Sequence, residues 1–328
     1  MKTLKNFPTH VGTHCATTSL SEILEFNGYK FSEQLIFGIS GSVDFIYLYP
    51  SFEECPRLIF TRSPMIEYDF FRNIGIDFKW NKEKVPEFKE IKGYIDNNKP
   101  VLALTDPKEL EFFGVSTPSL AHHTLTVIGY DEFDKTLKIS DMIGSNIFSC
   151  SYESFCNAIK VGKPPFYIEN IWSPVDEFKL EKNLEEMIID GMRNNSLKML
   201  QPKTDHSGID ALIKLKNELP QWRNLDNYQF ICLHVYLSIE KIGTGGSGFR
   251  KLYLEFLKEV PFYTSKINVT DLLNKKVKLV NLYKELSKHF RLESKNKNES
   301  YIGTIQTILE DLITAEYDFW DTTLKKIN

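Results

Sequence analysis

The sequence predicts an α+β domain followed by an all-helical domain. Runs of β-branched and aromatic residues, such as 100–104, 123–130 and 136–140, are confined to the first half. Beyond Ser173–Pro174 strand signals nearly vanish, and apolar residues recur at helical spacing over 177–200, 205–219, 225–241, 248–259, 269–292 and 300–326. A chain of 328 residues has room for two domains of ~100–200 residues each. The division is therefore placed at 1–174 and 175–328.

Residues 1–14 read as an extended lead-in containing Pro8 and Gly12. A helix then starts near Cys15, with Leu20, Ile23 and Leu24 on one face and Gly28 as its stop. A second short helix spans Ser32–Phe37, capped by Ser32 and ended by Gly38. Residues 39–48 turn from glycine-spaced to β-rich, and Leu58–Thr61 is a short strand. Pro64–Ile74 reads as a helix closed by Gly75, and Glu87–Asn97 as another. The apolar run 100–104 is a buried strand. His123–Tyr130 and Thr136–Ser140 are two strands joined by a turn at Asp131–Lys135, and Phe166–Trp172 is the last strand of this half.

Composition narrows the function classes. Hydrophobic residues make up 42% and charged residues 26%, the balance of a folded globular chain. A net charge of −4 lacks the basic excess of a nucleic-acid-binding domain. No apolar run reaches the ~18 residues of a membrane span, and residues 1–20 lack a secretory core. Five cysteines, none in a CxxC pair, read as reduced thiols of a cytoplasmic protein, and their spacing to histidine does not suit zinc.

Three residues can do chemistry together. Cys15, in Gly-Thr-His-Cys-Ala-Thr-Thr, stands at a helix start, where the dipole and amide donors favour thiolate. His123 opens a strand, where a general base is held rigidly. His122 points to the other face once the strand has begun. Asp141 ends the next strand, and an antiparallel hairpin carries it back beside His123, where a carboxylate on the Nδ1–H side fixes the tautomer and stabilises imidazolium. Taken singly, the cysteine and the histidine each have an ordinary structural reading: a buried small thiol and a satisfied histidine.

A cysteine on a first helix followed by His and Asp on a hairpin resembles the papain-like cysteine peptidase fold, in particular its bacterial branch of double-glycine leader peptidases. That branch shows His, then hydrophobic residues, Gly-Tyr and hydrophobic-x-Asp. Counting back from Gly129-Tyr130 selects His123. Gly12-Thr-His-Cys15, Gly28-Tyr-Lys-Phe-Ser-Glu33 and Phe37-Gly-Ile-Ser-Gly41 resemble the N-terminal domain of the butirosin biosynthesis protein H family. Gly243-Thr-Gly-Gly-Ser-Gly-Phe-Arg-Lys-Leu-Tyr-Leu-Glu-Phe-Leu257 and Ile313-Thr-Ala-Glu316 resemble the helical DUF4872-type domain that follows it.

The resemblance implies a cysteine acyltransferase of secondary metabolism that moves an acyl or aminoacyl group from a phosphopantetheine thioester on an acyl carrier protein to a small-molecule amine, with no metal or resident cofactor. A peptidase or amidohydrolase of the same fold, and a non-catalytic binding protein, are the alternatives. The papain-like oxyanion glutamine, six residues before the nucleophile, is replaced by Thr9. The Cys15 amide supplies one oxyanion donor, with Thr9 or His10 as candidates for the second. The loop carrying Gly243, Gly245 and Gly246 reads as a flexible turn. Its sharper reading is a wall of the cleft above Cys15, with Arg250 near a substrate phosphate. The lysine-rich helix 271–292 reads as a solvated face, with docking of an acidic carrier protein, or a homo-oligomer contact in this domain, as the alternatives.

Overall fold

The computed structural model describes residues 1–50, 55–114, 122–160, 162–163, 166–167, 169–296 and 298–327. In the first part of the chain the elements are β1 (Lys2–Thr3), α1 (Cys15–Phe26), α2 (Glu33–Ser40), β2 (Val43–Leu48), β3 (Leu58–Arg62), α3 (Ile66–Asn73), α4 (Phe88–Asp96), β4 (Val101–Thr105), β5 (His123–Asp131), β6 (Thr136–Asp141), β7 (Gly144–Ser151), α5 (Tyr152–Ile159), β8 (Gly162–Lys163), β9 (Phe166–Tyr167) and β10 (Trp172–Pro174). Six longer helices follow: α6 (Leu184–Leu200), α7 (Gly208–Glu218), α8 (Tyr228–Glu240), α9 (Arg250–Tyr263), α10 (Thr270–Lys295) and α11 (Ile302–Ile327). The α+β-then-helical order is the one predicted.

The chain folds into two compact units, and their division differs from the expected one. The first comprises Met1–Ile36 and Gly75–Glu181, the second Phe37–Ile74 and Lys182–Asn328. The segment 37–74 thus leaves the α+β part and joins the helices.

In the first unit an antiparallel sheet runs β10-β4-β5-β6-β7, and β1 extends it by pairing with the far end of β5. Its core sets Ile91 and Ile95 of α4 and Phe155 and Ile159 of α5 against Val101, Ala103, Leu125, Val127 and Ile139 of the sheet. At ~25 cal/mol per Å² of apolar area removed from water, this burial is what holds the layers together. The edge strand β7 was not anticipated. Its sequence, Gly-Ser-Asn-Ile-Phe-Ser-Cys-Ser, is mostly polar and its side chains are largely exposed, so no alternation marks it. The strand expected at 166–172 is divided: β9 pairs with β8, β10 pairs with β4, and residue 168 lies outside the described residues.

In the second unit α10 packs against α8, α9 and α11, while the β2–β3 hairpin lies on α6, α7 and α8. The buried Asn195 of α6 explains part of this attachment. Its amide accepts from the Val43 N–H at 3.1 Å and donates to the Val43 carbonyl at 2.7 Å, standing in for a neighbouring strand. Ser32 caps α2 as expected, through the Leu35 amide. Gly38 does not end that helix, which continues to Ser40. A Cβ at Gly38 would lie 2.2–2.4 Å from the Phe256 ring, so the glycine serves close packing, and Gly41 at φ +60° makes the stop instead.

Candidate active site

Each side chain of the candidate triad comes from an element already placed. Cys15 is the first residue of α1, buried at its N-terminus, with His14 as the cap. The lead-in is stitched down on both sides. The Gly12 amide donates to the Met142 carbonyl at 2.9 Å, and the Glu33 carboxylate accepts from the Thr13 and His14 amides and the Thr17 hydroxyl at 2.7–3.1 Å. A Cβ on Gly12 would collide with Thr18, so the chain passes hard against α1 there. The buried His14 side chain meets Thr17, which fits the structural role expected of it.

His123 is held from three directions. Its backbone pairs with Thr105 of β4, whose hydroxyl donates to the His123 carbonyl at 2.9 Å. The Phe113 ring stands edge-on to the imidazole at 4.8 Å between centroids. Across the hairpin, Thr126 pairs with Ser140, which brings Asp141 to the level of Leu125, two residues from His123. The Asp141 carboxylate lies 2.5 Å from His123 Nε2, and both side chains are buried. The carboxylate thus meets Nε2, whereas the sequence reading had placed it at Nδ1. The same ring is hydrogen-bonded to Cys15.

Burial alone would push the imidazolium down. The hydrogen bonds to Asp141 and Cys15, and the attraction of both groups, outweigh it and raise His123 to about 10. Its two partners thus favour the charged imidazolium over the neutral ring.

Glu22 was missed by sequence reading. It lies on α1, two turns after Cys15 and buried, and accepts from the Ser140 hydroxyl at 2.7 Å and the His10 amide at 2.8 Å. Burial, with the Asp141 charge as a minor contribution, raises it to about 7 despite those donors. The signal available was a glutamate at i+7 from the cysteine, between the core positions Leu20, Ile23 and Leu24. Glu33 was read as part of a helix start and of the Gly28–Glu33 motif, without a role of its own, yet it anchors the approach to Cys15.

Several expected binding residues are otherwise engaged. The Thr9 hydroxyl donates to the Ser145 carbonyl at 2.6 Å. The His10 imidazole pairs with Glu25 at 2.8 Å, and Glu25 lies ten residues beyond Cys15, ~15 Å along the helix axis. Both side chains are thus already paired.

Arg250 is a correction of the same kind. It is fully buried, pairs with Glu316 at 2.8 Å, donates to the carbonyls of Asp44, Thr61 and Gly248 at 2.9–3.0 Å, and lies 4.2 Å from the Tyr283 ring centroid. It fastens α9 to α11 and to the β2–β3 hairpin, and its full burial gives it no solvent-facing surface for a phosphate. Gly243, Gly245 and Gly246 all adopt positive φ, as a tight turn requires. The turn is closed by the Thr244 hydroxyl, which accepts from Gly246, and by the Glu240 carboxylate, which accepts from Ser247. A carboxylate on the Ser247 amide, with the Gly246 amide already taken by Thr244, is the wrong company for an anion.

Lys276, expected on a solvated face, is also buried, with its ammonium 3.7–4.6 Å from the ring centroids of Tyr253, Phe319 and Trp320. Lys278, Lys284, Lys288 and Arg291 do face outward. Among the described residues no His, Cys, Asp or Glu side chains gather into a metal-holding group, and no helix is long and apolar enough to cross a membrane.

The family model described as "Butirosin biosynthesis protein H, N-terminal" matches residues 14–142, which include Cys15, His123 and Asp141. The model "Domain of unknown function (DUF4872)" matches residues 157–322, about half of the chain. Among solved structures, a putative C39-like peptidase from Bacillus anthracis is similar at 17% identity and a TM-score of 0.35, covering 54% of this chain and 98% of that one. No curated protein matches. The chain belongs to the family of proteins that join a butirosin biosynthesis protein H N-terminal domain to a DUF4872 domain.

Proposed function

We propose that the protein is a cysteine-dependent acyltransferase. The observation that carries the reading is one imidazole, raised to about 10, hydrogen-bonded to both Asp141 and Cys15. Cys15 sulfur attacks the carbonyl carbon of a thioester, and a new C–S bond forms. The donor thiol leaves with the proton of the His123 imidazolium. An amine then attacks the acyl-enzyme, His123 takes a proton from it, and the amide departs as the Cys15 sulfur is released. Asp141 orients the ring and stabilises its charged form throughout. The Cys15 amide, in the first turn of α1, is the oxyanion donor the geometry supports. A carrier-protein phosphopantetheine thioester as donor and a small-molecule amine as acceptor are proposed from the kinship with the butirosin family.

The test is to incubate the protein with acyl and aminoacyl thioesters of pantetheine and read mass shifts on the Cys15 peptide. An acyl adduct on Cys15 that is absent from Cys15→Ala and discharged faster by added amine than by water supports transfer. Discharge indifferent to every amine tried assigns a hydrolase. No adduct with any thioester overturns the acyltransferase reading.

A further inference from the structure

Glu22 is a buried, titratable group that the mechanism above does not use. Its carboxyl joins two segments that must agree if the triad is to form. Through the His10 amide it holds the lead-in that ends at His14–Cys15, and through the Ser140 hydroxyl it holds the strand end that carries Asp141. Asp141 of β6 has the same sign, and the His10 imidazole opposite is occupied by Glu25 of α1. Among the described residues no cation bonds the Glu22 carboxyl directly; its two donors are neutral, and His10 favours its charge only from a distance, so that charge is balanced less well than that of Asp141, which bonds the His123 ring.

We propose that Glu22 is a positioning residue of the triad whose ionisation places a second negative charge behind Asp141 and so tightens the hold on the His123 imidazolium. Burial puts that ionisation near neutral pH, at about 7. Below it, Glu22 is a neutral clamp between the lead-in and β6. Above it, the same clamp is a carboxylate. The Cys15–His123 pair is then more resistant to losing its proton as the pH rises.

The inference rests on Cys15 being the nucleophile, and the experiment separates the two. The rate of Cys15 alkylation by iodoacetamide is measured from pH 5 to 10 in the full-length protein, with peptide mass mapping. The wild-type profile is expected to show an inflection near neutral pH as well as its alkaline limb. Glu22→Gln keeps an acceptor for the His10 amide and an NH2 for the Ser140 oxygen but cannot ionise. It should lose the inflection and move the alkaline limb down by about half a unit. Ser140→Ala removes a donor from the carboxylate and should move the inflection to higher pH. This second variant, with infrared difference spectra of the carboxyl band, decides the matter if Glu22→Gln does not fold. Profiles of wild type and either folded variant that superimpose overturn the role of Glu22 while Cys15 remains selectively reactive. Cys15 reactivity no greater than that of Cys156 in every variant sinks the nucleophile reading itself.

Discussion

Replacing Arg250 by Ala tests whether the most distinctive residue of the helical region binds substrate or holds the fold. Arg250 and Glu316 are both fully buried, and removing the arginine leaves the carboxylate without its partner. Breaking such a pair costs about 3–5 kcal/mol. The carbonyls of Asp44, Thr61 and Gly248 lose a donor at the same time, each worth about 1 kcal/mol. Against a total stability of ~5–15 kcal/mol, the second unit should be unfolded or close to it. Urea unfolding followed by tryptophan fluorescence reads this directly, because Trp222 and Trp320 are buried in that unit. Arg250→Lys keeps the charge but not the planar fork and should fall between wild type and Arg250→Ala. The double variant Arg250→Met/Glu316→Met removes both charges and should be more stable than Arg250→Ala. An Arg250→Ala protein within ~1 kcal/mol of wild-type stability that nevertheless loses acyl transfer would refute the structural role and restore the substrate-binding one.

Iodoacetamide at pH 7 should label Cys15 well ahead of Cys55 and Cys150, which burial pushes up to about 11 and about 12, and of Cys232, which burial raises further still; equal labelling under native conditions would contradict this. Asp141→Asn should cost transfer activity far more than substrate binding. It should also lower melting temperature most near pH 6, because His123 is raised from 6.5 to about 10: its stabilising contribution is complete below 6.5 and is lost as the pH rises towards 10. A stability difference that grew with pH would have the wrong sign. Glu33→Ala frees the Thr13 and His14 amides and should lower the acylation rate with little change in global stability, as read by single-turnover kinetics beside a melting curve. Lys276→Met should raise the melting temperature at pH 7, since burial holds the lysine well below its usual range and charging it disfavours the folded state; a drop would show that Glu316 and the three rings together stabilise the cation by more than burial costs it.

The clustering of the candidate residues His123 and Asp141 was legible because it obeys local rules. A short turn between two apolar strands fixes their antiparallel pairing, and that alone brings Asp141 to His123. The start of α1 at Cys15 and the six late helices follow from apolar spacing. What escaped depends on long-range packing. Nothing near Gly38 announces Phe256, and nothing near Asn195 announces Val43, so the alliance of 37–74 with the helices could not be read locally. Arg250 and the glycines before it resemble a phosphate loop until the buried Glu316 and the inward Glu240 are in view. Glu22 looked like one more charge on an amphipathic helix, because the sequence does not reveal that β6 covers that face.

The second unit is assembled from two stretches of chain separated by more than a hundred residues. During synthesis the β2–β3 hairpin is made first, and at 5–20 residues per second it waits roughly 5–20 s before α6 begins to appear. In that interval its strands carry unpaired edges and the apolar faces of Phe45 and Tyr47 without the helices that bury them. The gene therefore does not divide into two separately expressible pieces at the end of the sheet. A fragment stopping at residue 174 would carry a hairpin with nothing to rest on, and one starting at 175 would lack the strands on which α7 and α8 are built.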